Sequence, residues 1–316
     1  MSTGIENTFL IVEIGEFIAG ILGNGLIVLA NGLDWVKSQK ISLADSILTS
    51  LALSRIIQLW IMLFESFLMV LWPHLYFFSK LTKFLTIFWM ISDHLGTWFA
   101  TCLSVFYFFK IASLSQPCFI WLRWRIGRVL LVLQLLSLCL LFFNFSLADT
   151  LTGFWINVYS KHERNSTLSS DVSTAVYRNI WIVFNLINLI PFLLSLTSLV
   201  LLFLSLMRHI RNLQLNSMGS RDVSTQAHRR AIKMVTSFLL FFIVHFFSVI
   251  LSGWIFLKLQ NQQASLFVML TLTLFPSGHS FVLIMGNSKL RQTAVGLLRH
   301  VKSYKTKNLF PIFDFF

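Results

Sequence analysis

Apolar residues along the chain fall into seven runs, separated by segments that carry most of its lysine and arginine. The runs cover residues 9–33, 43–72, 84–112, 129–147, 180–207, 234–257 and 264–286. About 20 apolar residues at ~1.5 Å rise cross the hydrocarbon layer, so each run predicts a membrane-spanning helix. The third run is unlike a lipid-facing helix, because Asp93 and His94 stand near its middle between Trp89 and Trp98. An acid in hydrocarbon costs several kcal/mol unless it meets a partner or a polar cavity. This helix is therefore expected inside a bundle, with the other six as its wall.

Composition agrees: of 316 residues, 56% are hydrophobic and 12% charged, against roughly 25% charge in a soluble domain. The fold class expected is an all-α membrane protein, a seven-helix bundle. The net charge of +13 would suggest nucleic-acid binding in a soluble chain. Here the cations lie between spans, where they set orientation instead. Cys102, Cys118 and Cys139 offer neither an outer disulfide nor a metal-ligand spacing. Glu6, Glu13 and Glu16 replace the basic start of a signal peptide, so the first run reads as a retained helix.

Seven spans put the termini on opposite sides. The loops after spans 1, 3 and 5 and the carboxyl tail hold eighteen lysines and arginines, while the amino terminus and the other loops hold six. The positive-inside rule then puts the amino terminus outside. The sequon Asn165-Ser166-Thr167 falls on that same side and is expected to be glycosylated. After Asn287, residues 288–303 put Leu290, Ala294, Leu297, Leu298 and Val301 on one face, with Lys289, Arg299 and Lys302 around it. That pattern predicts an amphipathic eighth helix on the cytoplasmic membrane surface, favouring anionic lipid. The receptor unit is then 1–303, with 304–316 as a tail.

Helix direction and rise place Glu65 roughly 10 Å and Asp93 roughly 14 Å below the outer surface. Trp89 lies one turn above Asp93 and His245 near the same level, so these side chains are expected around one outward cavity. Asn24, Arg55, His279 and Ser280 form a deeper layer. Arg55 stays ionised and needs acceptors, for which Asn24, carbonyls near Pro276 and water are the candidates. Arg55 reads first as a structural hydrogen-bond hub, and His94 and His279 as helix-packing groups. No catalytic constellation is present: His162-Glu163 lacks a second histidine, and the glycines at 20–25 form no phosphate loop. A multi-span transporter or channel is the alternative. Pro191 and Pro276 do not match as repeats of two halves, and no selectivity filter is evident.

In order along the chain stand Gly23-Asn24, Leu51-Ala52-Leu53-Ser54-Arg55, Trp98-Phe99-Ala100-Thr101, Phe106-Tyr107 and Lys110-Ile111-Ala112. Pro191-Phe192, Leu202-Phe203-Leu204-Ser205-Leu206, His228-Arg229-Arg230-Ala231-Ile232-Lys233, Pro276, His279-Ser280-Phe281 and Gly286-Asn287-Ser288-Lys289-Leu290 follow. With these residues the chain resembles a type 2 (bitter) taste receptor over nearly its whole length. It departs from rhodopsin-like receptors in ending its third span with Tyr107-Phe108-Phe109-Lys110 and in carrying His279-Ser280 where Asn-Pro is usual.

The resemblance implies a plasma-membrane G protein-coupled receptor that needs no cofactor. Its agonist positions fall on Glu65, Trp89, Asp93, His245 and Met269. The deeper polar network, Asn24, Arg55, His279 and Ser280 with Tyr107, is expected to be the activation switch, since such a network packs helices in a few discrete arrangements. The resemblance implies a gustducin-like G protein, acting through phospholipase C and calcium, against Lys110, Arg123, Arg125, Arg208, Arg211, His228, Arg230 and Lys233. Receptor oligomers are a further assembly it allows. Family members often carry Asn at positions 65 and 93 and Tyr at 245. The two acids here therefore suggest agonists bearing a protonated amine.

Overall fold

The computed structural model describes residues 4–72, 80–112, 116–162, 168–216, 223–258 and 262–309. Among these the chain forms nine helices and no strand: α1 (Gly4–Ser38), α2 (Leu43–Leu71), α3 (Lys80–Ile111), α4 (Pro117–Trp124) and α5 (Ile126–His162), then α6 (Leu168–Asn216), α7 (Val223–Lys258), α8 (Gln262–Gly286) and α9 (Ser288–Leu309). Seven of them, all but α4 and α9, are the expected spans. Each helix packs on its chain neighbour, α8 closes back onto α1 and α2, and α3 sits against α2, α5 and α6. Asn165 lies outside the described residues.

The helices outrun the apolar runs, because hydropathy marks the hydrocarbon layer and not the end of a helix. α5 continues to His162 and α6 starts at Leu168, within what reads as one polar loop over 148–179. α9 likewise passes residue 303 and runs to Leu309. The loop at 110–128 contains a helix, α4, started by Pro117 at its first turn, where a missing N–H costs nothing.

Six helices are long and apolar enough to span a membrane by composition, and α3 is not among them. Its inward positions Ser92, Asp93, His94, Thr101 and Ser104 are all buried, which makes it the polar axis of the bundle. Outward positions elsewhere are strongly apolar, as Leu131, Val132, Phe142, Leu186 and Leu240 illustrate, all more than half exposed. That is an inside-out surface suited to lipid.

Two apolar clusters fill the interior. One gathers Ile61, Met62, Met69, Trp89, Phe184, Val249, Leu266 and Met269 toward the end of the bundle where the amino terminus lies. The other gathers Ile27, Leu51, Ala100, Leu202, Phe238, Phe242 and Phe275 toward the opposite end. Along α2, α3 and α7 the polar residues Gln58, Asp93 and His245 fall between the two clusters. All three are buried. Gly23 lets α1 and α8 approach closely, since a Cβ there would collide with the Ser280 hydroxyl.

Candidate functional site

Buried polar groups survive in a bundle only with partners, so the hydrogen bonds define the site. Asp93 Oδ1 accepts from Gln58 Nε2 at 2.9 Å and from His245 Nε2 at 3.0 Å. The His245 ring lies nearly parallel to Phe275, with centroids 4.9 Å apart. Phe275 is in turn stacked on His279 at 5.4 Å, with 5° between the ring planes. The Arg55 guanidinium carbon sits 4.7 Å from the Phe275 centroid, and Arg55 Nη2 donates to His279 Nδ1 at 2.6 Å. A continuous series of contacts therefore runs from Asp93 through His245 and Phe275 to His279 and Arg55.

Glu65 has no hydrogen-bond partner among the described residues and is 6% exposed. It shares one face of α2 with Gln58, Met62 and Met69, spaced as successive turns require. Ser66 beside it donates to Met269 Sδ at 3.6 Å. Trp89 and Met269 pack in the same apolar cluster, and the Trp89 indole N–H has no partner among the described residues. All five expected agonist positions are thus buried, Trp89 and Met269 in the apolar cluster at that end and Asp93 and His245 between the two clusters. The expectation of a cavity open to one face differs from this arrangement. Trp89, Asp93, Glu65, His245 and Met269 are each less than a tenth exposed.

The deeper layer gathers around one turn of α8. Asn24 Nδ2 donates to the carbonyls of Gly20 and Pro276, each at 2.9 Å. Ser280 donates to the Ser277 carbonyl at 2.6 Å and faces Gly23. Tyr107 lines a small cavity with Ser104, Met234, Phe238 and His279. The pairing differs from expectation in one respect: Asn24 takes the Pro276 carbonyl, and Arg55 takes His279. Arg55 Nε and Nη1 have no partner among the described residues.

His94 points away from both layers. Its Nε2 donates to the Ser137 carbonyl at 2.9 Å and Asn144 Nδ2 donates to its Nδ1 at 3.1 Å. This fixes one tautomer and makes His94 the joint between α3 and α5. The basic residues expected at the G protein lie at the end opposite the amino terminus. Lys110, Arg208, Arg211 and Lys233 are exposed there, with Lys110 above the Phe106 ring at 5.2 Å. Arg123 and Arg125 project from or adjoin α4. His228 and Arg230 belong to the first turns of α7, and their side chains lie outside the description.

Several participants escaped the sequence reading. Gln58 lies on the Arg55–Glu65 face of α2, so helical spacing alone could have found it. Phe275 carries no such signal, being one of 33 phenylalanines. Ser195 donates to Thr101 Oγ1 at 2.9 Å and Ser104 to Ser195 at 3.2 Å, while Thr101 reaches the Pro191 carbonyl at 3.2 Å. These hydroxyls fasten α3 to α6 at its proline. Thr273 donates to the buried Glu13 at 3.0 Å, joining α8 to α1. Lys289, expected to face lipid, instead bridges Asp34 at 2.8 Å and Asp45 at 3.2 Å.

Comparison with known proteins supplies the context. The family model described as Taste receptor protein (TAS2R) matches residues 1–302. Taste receptor type 2 member 42 of Pan troglodytes is 52% identical over 316 residues, covering 99% of this chain and all of the relative. The Homo sapiens protein of that name is 51% identical over the same span, with the same coverage. Taste receptor type 2 member 7 of Macaca mulatta is 43% identical over 305 residues, 96% of each chain.

Proposed function

Since the chain belongs to the taste receptor type 2 family, and is thus a multi-pass bitter taste G protein-coupled receptor of the plasma membrane and not an enzyme, we propose how its residues divide the work of binding and signalling. The agonist enters at the amino-terminal end, which faces outward, and binds among Glu65, Trp89, Asp93, His245 and Met269. The charge count of the loops supports that orientation. The observation that carries the proposal is the position of Phe275, stacked between His245 and His279. An agonist that displaces His245 from Asp93 removes one face of that stack. The Arg55–His279 pair and Asn24, Tyr107 and Ser280 beside it then repack.

A ligand shifts a receptor only by its differential affinity for the two states. Here the difference comes from exchanging the His245–Asp93 contact for a ligand–Asp93 contact. The repacking opens the opposite face to a gustducin-like G protein, met by Lys110, Arg208, Arg211 and Lys233 together with the turn holding His228 and Arg230. Phospholipase C and calcium release follow. Glu65, without a hydrogen-bond partner among the described residues, together with Asp93 favours small amphipathic agonists bearing a protonated amine, because opposite charges a few ångströms apart stabilise each other. Receptor oligomers and a glycan on Asn165 belong to the same reading.

The test is a calcium-release screen in cells supplied with a gustatory G protein, using bitter amines and neutral bitter compounds in parallel. Selective responses to amines support the ligand class. Responses to neutral compounds alone would overturn it.

A further inference from the structure

The short helix α4 carries two apolar faces where a loop helix needs one. Phe119 is buried against Phe108 and Phe109, with centroids 5.3 Å from each, and Leu122 one turn on packs on the same cluster. This face holds α4 to the end of α3. On the other side, Ile120, Trp121 and Trp124 span an arc of about 100° at 3.6 residues per turn. They are 45%, 55% and 86% exposed. Arg123 and Arg125 border the arc on either side, and the Arg125 guanidinium stacks over Trp121 at 4.6 Å. Arg128 follows in the first turn of α5. No aspartate or glutamate occurs anywhere between Asp93 and Asp149, so the stretch that carries the patch has basic charges alone.

We infer that α4 is an interfacial helix docked on anionic phospholipid of its own bilayer, with Ile120, Trp121 and Trp124 at the headgroup boundary and Arg123, Arg125 and Arg128 on acidic headgroups. Two observations choose lipid as the occupant. The exposed arc adjoins α5, whose outward residues Leu131, Val132 and Leu135 are each more than half exposed and apolar. That makes it an extension of the lipid-facing surface at the level where the spans end. Indole rings with a polar edge favour that level, and arginine stems reach from it to headgroups. Arginine suits phosphate and carboxylate through its planar donor fork. Arg123 and Arg125, assigned by resemblance to the G protein, are reassigned here to the membrane. The inference rests on the membrane-spanning reading of α5, not on which face is cytosolic.

The experiment uses the full-length receptor in nanodiscs of phosphatidylcholine, with or without a photoactivatable phosphatidylserine. Covalent labelling is read by mass spectrometry. The peptide spanning 116–128 is expected to label in the phosphatidylserine discs and to lose that label in high salt. The variant R123Q/R125Q/R128Q should lose labelling on the order of fivefold for each arginine removed, while amine-agonist binding is unchanged. Equal labelling in variant and wild type, or none at this peptide, would overturn the inference. So would loss of G protein activation by W121S/W124S in lipid-free detergent, which would make the arc a protein-docking surface. Symmetric disc leaflets separate this result from a reversed orientation, which antibody access to an amino-terminal tag reads independently.

Discussion

His245 and Asp93 meet through Nε2 and Oδ1 at 3.0 Å, an imidazole–carboxylate contact in the buried interior of the bundle. Gln58 shares the same carboxylate oxygen, so Asp93 is engaged on both α2 and α7 sides before any ligand arrives. Glu65, about two turns further along α2 toward the amino-terminal end of the bundle, has no hydrogen-bond partner among the described residues. The two acids therefore have different expected roles.

Glu65→Gln removes an acid that has no hydrogen-bond partner among the described residues. Amine agonists are expected to lose about tenfold in potency, roughly one charge-assisted hydrogen bond, with neutral agonists within about twofold. Concentration–response curves for matched amine and neutral compounds measure this. Equal losses in the two classes would assign Glu65 to packing.

Asp93→Asn keeps an acceptor for His245 but deletes the charge. Weaker amine agonism is expected again, now with raised basal calcium, because His245 is less firmly held away from the active arrangement. Unchanged basal signalling would show that the pair is not part of the switch.

Arg55→Leu leaves His279 without its donor and Phe275 without its cation. Signalling or surface expression should be lost without a change in agonist rank order. Arg55→Lys is not expected to rescue, since an ammonium cannot both reach His279 and lie flat over Phe275. A shifted agonist spectrum with intact signalling would contradict the assignment. Surface labelling with calcium imaging separates the cases.

Gly23→Ala adds a methyl against Ser280. Overpacking of this kind costs about 1–3 kcal/mol, enough to lower surface expression or melting temperature. Adding Ser280→Ala removes the nearest atom and should recover part of the loss. The pair measured as a double-mutant cycle in a thermal-shift assay tests the α1–α8 contact directly.

Lys289 ties α9 to the α1–α2 connection. Its pKa is pulled down by partial burial but raised overall by Asp34 and Asp45. A raised folded value means the tie is fully present below the ordinary lysine value of 10.5 and lost only as pH climbs through the higher folded one. Lys289→Gln should therefore lower stability by at most about 1 kcal/mol, since the groups are partly exposed. That loss should be the same at pH 6 and pH 9. A loss that changes across that window would contradict the bridge.

The spans, their order and the polar character of α3 were legible because hydropathy and intramembrane charge are properties of single residues. The family was legible because short fragments fall in order on the right spans. Residues 228–239, 242–248 and 286–295 also resemble the member 42 branch, to which two of the relatives named above belong. Pairings were less legible. Arg55 was given Asn24 and the Pro276 region as partners, yet which acceptor it meets depends on helix rotation, which sequence spacing does not set. Lys289 looked like every other lysine of an amphipathic helix, and only the fold brings Asp34 and Asp45 to it. α4 was hidden in a basic loop because eight residues are too few for a periodic signal. Its two tryptophans marked the interface without revealing the helix.

The account turns on Phe275 linking the agonist acids to the Arg55–His279 pair, and Phe275→Leu tests that most directly. Leucine fills much of the volume but cannot stack on two imidazoles or underlie a guanidinium. Agonist binding to membranes and calcium release from the same cells should be measured side by side. Binding within about threefold of wild type, with calcium release abolished, is the expected result. Calcium release that stays intact, or falls only in proportion to lost binding, would contradict the link.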